Sequence, residues 1–248
     1  MQNHSKYLLS LWLPSTQMLQ CATTPNPRER LGLQGYIINI TPQKNEDIIL
    51  TILTPHKIKR LYRFYGARHS ILQLGKKIDF EVEDSGVFLP RARNIMALNF
   101  AWEREIERVR IWQRYLQLLH KHFHDIESTE SFYYDMLELG ASKILRQNPL
   151  RVALEMYAML LDFEGRIPDL SHCFICSEPI IEELAIARAL LPAHPACIRH
   201  SHTTSLNKNA KIPLLPQESL QTYLQTHSTA HLNDDKIHEL WGVLIQGL

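Results

Sequence analysis

The sequence predicts an α+β chain in which a small β-barrel precedes a larger helical domain. Three observations carry that prediction. Short β-branched and aromatic runs crowd residues 35–84, apolar positions recur at steps of three and four after Pro90, and a Cys-x-x-Cys pair interrupts the helical part at Cys173. The 248 residues are 45% hydrophobic and 21% charged, which excludes collagen-like, coiled-coil and disordered chains. No apolar run reaches the roughly 18 residues of a membrane span, so no membrane contact is expected. The formal net charge is +1, so any contact with nucleic acid must come from local clustering of cations.

Residues 1–34 read as a poorly ordered N-terminal extension. Tyr7 to Leu13 is apolar, but it is short and stopped by Pro14, which makes a poor secretory signal; Pro25 and Pro27 follow. A cytoplasmic, nucleoid-associated location is expected, where the 4 Cys stay reduced and are better suited to metal than to disulfides. Cys21 lies in this extension without an evident partner and is expected to be a free thiol.

Residues 35–86 are assigned to the barrel. Gly35 to Ile40 is a β-branched and aromatic run, closed by the turn residues Pro42-Gln43-Lys44-Asn45. Ile48 to Thr54 is a second strand ending at Pro55. Ile58 to Tyr65 is a third, with arginines among its large residues, and Ile78 to Glu83 alternates strictly, one face buried and one wet. Short strands so closely spaced suit a five-stranded barrel. Ser85-Gly86 and Pro90 mark its end.

Residues 87–248 are assigned to the helical domain. Trp102, Ile106, Val109, Trp112, Leu116, Leu119, Phe123 and Ile126 line one face of a single long helix. A second helix runs from Phe132 to Leu145. Asn148-Pro149 caps a third, Leu150 to Phe163, which is apolar nearly all round and belongs at the centre of a bundle. Gly165 and Pro168 end it. Shorter helices are expected over 217–224 and 234–245.

The clearest chemical signal lies at about 173–200. Cys173 and Cys176 can take adjacent corners of a zinc tetrahedron, and Cys197 with His194 or His200 repeats the two-residue spacing. A four-ligand site has no open position and is therefore structural. His120 and His124 also lie four apart on a helix, but the glutamate of a metalloprotease helix is missing, and with 13 His in the chain such a pair is expected to arise by chance.

The other signal is electrostatic. Lys57, Lys59, Arg60, Arg63, Arg68, Lys76 and Lys77 follow one another with no carboxylate among them, and Tyr62, Phe64 and Tyr65 are interleaved. Cations that track phosphates beside rings that stack on bases suit a binder of single strands. Lys44, in the first turn, joins this set. The stretch 57–77 is expected to form one continuous exposed cationic surface. No general base, activated nucleophile or nucleotide loop is evident, so no catalysis is expected.

The order of these parts resembles the RecO family of DNA repair and recombination mediators. The resemblance rests on Gly35-Tyr36, on Glu46 to Thr54, on the basic strand ending Tyr65-Gly66-Ala67-Arg68, and on Leu160-Leu161-Asp162-Phe163-Glu164-Gly165-Arg166-Ile167-Pro168-Asp169-Leu170 before Cys173. It implies an N-terminal OB-fold barrel, a helical domain and a zinc-binding loop. It also implies binding of single- and double-stranded DNA, annealing of complementary strands, and cooperation with RecR and single-strand-binding protein in loading a RecA-type recombinase. Three features depart from the family pattern. A 34-residue leader precedes Gly35, Leu190-Leu191-Pro192-Ala193 stands in place of the Gly-rich lead into the last knuckle, and a histidine replaces one cysteine of that knuckle. Pro195 favours His194 for that place, with His200 as the alternative.

Two other readings follow from the residues. Arg104, Arg108 or Arg151 could grip the acidic tail of a protein partner, making the helical domain an interaction module. A zinc hydrolase would need an open coordination position and a carboxylate such as Glu178 or Glu182.

Overall fold

The computed structural model describes residues 32–84, 86–181, 183–200 and 212–248. All but the last three residues of the expected leader, with Cys21, lie outside these, as does Glu182.

Five strands close into a barrel. They are β1 (Leu33–Pro42), β2 (Ile48–Leu53), β3 (Ile58–Arg63), β4 (Lys77–Glu83) and β5 (Arg91–Ala97), hydrogen-bonded in the order β1-β2-β3-β5-β4. Every pairing is antiparallel except β3 with β5, where Tyr62 faces Arg91 and closes the ring. This is the strand order of an OB fold, and closure leaves no long edge exposed.

The expected barrel boundary at residue 86 is corrected by β5. This strand lies beyond Pro90, so the barrel runs to Ala97. Its sequence, Arg-Ala-Arg-Asn-Ile-Met-Ala, has one β-branched residue and buries only Ala92. It is held by the ladder of β4 rather than by its own propensity, which is why its sequence does not announce a strand.

The expected single helix from Trp102 to Ile126 is also divided. Ala101–Arg104 forms a 3₁₀ turn, Glu105 is extended (φ −98°, ψ 105°), and α1 covers Ile106–His122. The break lets the Trp102 indole turn inward and donate to the Ala141 carbonyl at 2.8 Å. Two further helices follow as expected, α2 (Ser131–Ile144) and α3 (Pro149–Phe163). Asn148 caps α3, its side chain accepting from the Leu150 amide at 2.9 Å, and Pro149 stands at the first helical position. Gly165, at φ +64°, supplies the left-handed residue that ends it.

A second sheet was not legible in the sequence. It combines β6 (Glu183–Ile186), β7 (Pro192–Ala193) and, past the short α4 (Pro195–His200), β8 (Leu214–Pro216), in the order β7-β6-β8. Helices α5 (Gln217–Thr226) and α6 (Asp234–Leu244) complete the fold.

Two apolar cores result. Ile37, Leu50, Ile52, Leu61, Ile78 and Phe80 fill the barrel. The larger core lies among the helices, and Tyr36, Ile38 and Leu53 of the barrel belong to it, packed with Trp102, Trp112 and Leu116. Strand β1 serves both because successive side chains point to opposite faces, Ile37 inward and Tyr36 and Ile38 outward. Each such side chain contributes on the order of 1.5–3 kcal/mol by burial, so the barrel is fastened to the helical body along β1.

Candidate metal centre and nucleic-acid interface

Cys173 and Cys176 sit in a tight turn after α3. The Ser177 amide donates to the Cys173 carbonyl at 2.8 Å, and the Cys173 amide donates to the Glu178 carbonyl at 2.9 Å. The Phe174 amide donates to the Pro192 carbonyl at 3.0 Å, which draws β7 and the residues after it against the turn. His194 and Cys197 are brought in by that contact. The sulfur and nitrogen donors of Cys173, Cys176, His194 and Cys197 lie within 4.8 Å of one another.

The donor set fits zinc. Bonds of about 2.0–2.3 Å to the corners of a tetrahedron put neighbouring ligand atoms about 3.5–3.8 Å apart. His194 Nδ1 stands 3.4 Å from Cys176 Sγ and 3.8 Å from Cys197 Sγ. His194 Nε2 is 3.1 Å from the Pro179 carbonyl, a contact that assigns the proton to Nε2 and turns Nδ1 toward the thiols. Burial raises the Cys173 thiol, but the amides of Cys176, His194 and Ile175 outweigh it and lower the group to about 6. Burial and hydrogen bonds with the Cys176 and Cys173 sulfurs push Cys197 up to about 11. Three thiols so close cannot all ionise without a cation among them, and a divalent ion would supply that charge.

Of the two histidines left open by spacing, the geometry selects His194. His200 is exposed at the end of α4 and outside the group. Glu178 offers its backbone carbonyl to Cys173, and its carboxylate is not in the group. With four donors and no carboxylate, the set leaves no position for a reacting water once all four bind. His120 and His124 belong to no metal-capable group among the described residues. Burial, and then Arg60 and His124, hold the His120 imidazole below its ordinary value.

The cations expected to form one continuous surface are divided among three places. Lys57 and Arg60 are exposed beside the connection between α1 and α2, where the Ile58 amide donates to the Glu127 carbonyl at 2.8 Å. Lys59 faces the other side of β3 and is half-buried. At the far end of that strand, half-buried Arg63 donates to the Ala92 carbonyl at 3.1 Å. Arg68 forms an ion pair there with Glu46, near exposed Lys44. Lys76 and Lys77 are 20% and 14% exposed and pair with Glu103 at 2.5 Å and Glu138 at 2.7 Å, between the barrel and the helices. The continuity expected from sequence fails for a physical reason. Strand alternation sends neighbouring residues to opposite faces, and carboxylates distant in sequence reach the last two lysines.

The arginines proposed for a partner tail also have internal work. Arg108 donates to the carbonyls of Ile144 and Gln147 and pairs with Glu105. Arg151 donates to the Thr229 carbonyl at 2.6 Å and the Leu232 carbonyl at 2.8 Å, and pairs with Asp234. Arg104 is exposed. A cavity of about 700 Å³ opens between α2 and α3, lined by Phe132, Met136, Leu139, Met159 and Phe163, but Glu130 and Asp135 rim it and none of the three arginines does.

One group of functional interest escaped the sequence reading. Three chain connections emerge from the same barrel end: residues 43–47, the segment from Phe64, and residues 86–90. The Tyr65 amide donates to Asp47 Oδ1 at 2.7 Å, and the Tyr62 amide donates to the Pro90 carbonyl at 2.8 Å. Arg91 and Arg93 of β5 join the cations there, an Arg-x-Arg alternation that was legible but lay beyond the assumed boundary.

No helix among the described residues is long and apolar enough to cross a membrane. No curated protein matches the chain. Residues 33–103 match the family model described as RecO N terminal, a span that takes in all five barrel strands and Trp102. That match, over a barrel closed in OB order, makes residues 33–103 of this chain similar to the N-terminal domain of the RecO family.

Proposed function

We propose that this protein is a non-enzymatic recombination mediator of the cytoplasm and nucleoid. It binds single- and double-stranded DNA, anneals complementary strands, and with RecR helps load a RecA-type recombinase onto DNA covered by single-strand-binding protein. The observation that carries the reading is the RecO N-terminal match across a complete OB-type barrel. Phosphate contact falls to Lys44, Lys57, Lys59, Arg60, Arg63 and Arg68, with Lys76 and Lys77 serving mainly as interdomain ion pairs. Bringing two polyanions together costs electrostatic repulsion, which bound cations offset by releasing counterions. Zinc at Cys173, Cys176, His194 and Cys197 acts structurally, stapling a loop to the second sheet.

The test is strand annealing with bare strands and with strands coated by single-strand-binding protein. Wild type should accelerate both. Reversing charge at Lys57, Arg60 and Arg68 should weaken DNA binding and flatten its salt dependence by about one unit of slope per lost contact. Unchanged affinity and slope would remove these cations from the mechanism.

A further inference from the structure

We propose that the barrel end formed by Phe64, Tyr65 and Phe88 binds unpaired bases by stacking, so that this protein holds the bases of a single strand as well as its phosphates. The inference rests on the nucleic-acid reading above and names the ligand class of one site within it.

Regular alternation would have left one of Phe64 and Tyr65 inside the barrel. Strand β3 ends at Arg63, and Tyr65 takes a left-handed backbone conformation (φ 50°), so both rings emerge, 46% and 54% exposed. A non-glycine residue there is strained and persists only where its surroundings enforce it. The enforcing group is Asp47. It is buried, and its carboxylate accepts from the Tyr65 amide at 2.7 Å and from the Tyr62 hydroxyl at 2.5 Å. The fold therefore spends a strained backbone and a buried carboxylate on keeping an aromatic pair in water.

The neighbouring loop does the same. Val87 and Phe88 are 95% and 77% exposed in the β4–β5 connection, whose return strand runs beside Tyr62. An apolar cluster alone would not distinguish a protein partner from a nucleic acid. The guanidiniums do. Arg91 Cζ lies 5.0 Å from the Phe64 ring centre, and Arg68 Cζ lies 5.2 Å from that of Tyr65. Each ring thus carries a planar cation over one of its faces, placed to take the phosphate of a base that stacks on the ring. Glu46 and Glu83 pair with these arginines in the open, where such bridges contribute little and a phosphate can replace them. Bases inside a duplex are already stacked on one another, so the ligand is an unpaired strand, with two or three bases on three rings.

The experiment compares the full-length chain binding to oligothymidine and to an abasic strand with the same number of phosphates. Wild type should bind oligothymidine about tenfold tighter or more. Phe64→Ala with Tyr65→Ala should remove most of the difference and leave the salt slope unchanged. Phe88→Ala, which removes a ring that is 77% exposed, should reduce it. Equal wild-type affinity for the two strands overturns the inference and leaves DNA binding intact. Retention of the full base preference by both variants overturns it as well. Binding to neither strand overturns the inference together with the mediator reading on which it rests.

Discussion

Lys77 Nζ lies 2.7 Å from Glu138 Oε1, with the Tyr134 and Tyr36 rings at 5.7 and 6.0 Å. A lysine of the basic stretch thus reaches across to α2 and fastens the barrel to the helical body. Burial, and then Glu138 beside them, push the Tyr36 and Tyr134 phenols above their ordinary value. Replacing Lys77 by Met should destabilise the protein by about 1–3 kcal/mol, because a half-buried carboxylate loses its counter-ion. The salt slope of DNA binding should not change. Denaturant melts and a salt titration separate the two effects; a flattened slope with unchanged stability would return Lys77 to the DNA surface.

The turn before Lys77 makes a second such fastening. Gly75 has φ +89°, its carbonyl accepts from the Trp112 indole at 3.0 Å, and a Cβ there would stand 2.9 Å from Trp112 Cδ1. Gly75→Ala should therefore lower stability by about 2 kcal/mol or more, through strain and lost contact together. Thermal melts followed by tryptophan fluorescence read it directly. Gly86→Ala, at φ +70° with nothing near its Cβ, should show the backbone cost alone.

For the metal centre, about one zinc per chain is expected on elemental analysis. Cys173→Ser with Cys176→Ser, or His194→Ala, should remove it and expose the loop to protease, whereas His200→Ala should retain full metal content. Retention of zinc by His194→Ala would assign the fourth ligand elsewhere.

Glu164 supplies a pH-dependent element. Its carboxylate lies 2.6 Å from His122 Nε2 and accepts from the Tyr133 hydroxyl at 3.0 Å and from Arg166 at 2.6 Å, joining the end of α3 to α1 and α2. Burial raises this group, but the Arg166, His122 and Tyr133 contacts outweigh it and hold the acid below its ordinary 4.5. A depressed acid stabilises the fold above its unfolded value and loses that contribution as pH falls through the folded value. Stability should therefore drop below about pH 4.5, and Glu164→Gln should be less stable at neutral pH by about 1–3 kcal/mol with a shallower acid limb. Parallel acid limbs in melts of the two proteins would contradict this.

How far the sequence could be read depended on whether a residue's role was decided by its neighbours in the chain. Helix α3 was legible because Asn148, Pro149 and Gly165 set its ends locally. The knuckle was legible because Cys173 and Cys176 share one turn. Strand β5 was not, since Arg91 to Ala97 pairs with β4 and takes its conformation from that ladder. Nor was the second sheet, whose strands are three or four residues or fewer and are separated by α4. The choice of His194 over His200 needed the Phe174–Pro192 contact, which no spacing rule contains.

The sequence by itself determined the class of the chain: β-branched runs and a later helical period make a barrel followed by helices, and four zinc-type donors fall at knuckle spacing. The tertiary structure alone decided which cations face water. Lys76 and Lys77 look like Lys57 in a string of letters, but Glu103 and Glu138 arrive from helices that the chain reaches only later. Charge is a property of a residue, whereas exposure and pairing belong to the packed fold, and those two properties fix what a cation can bind.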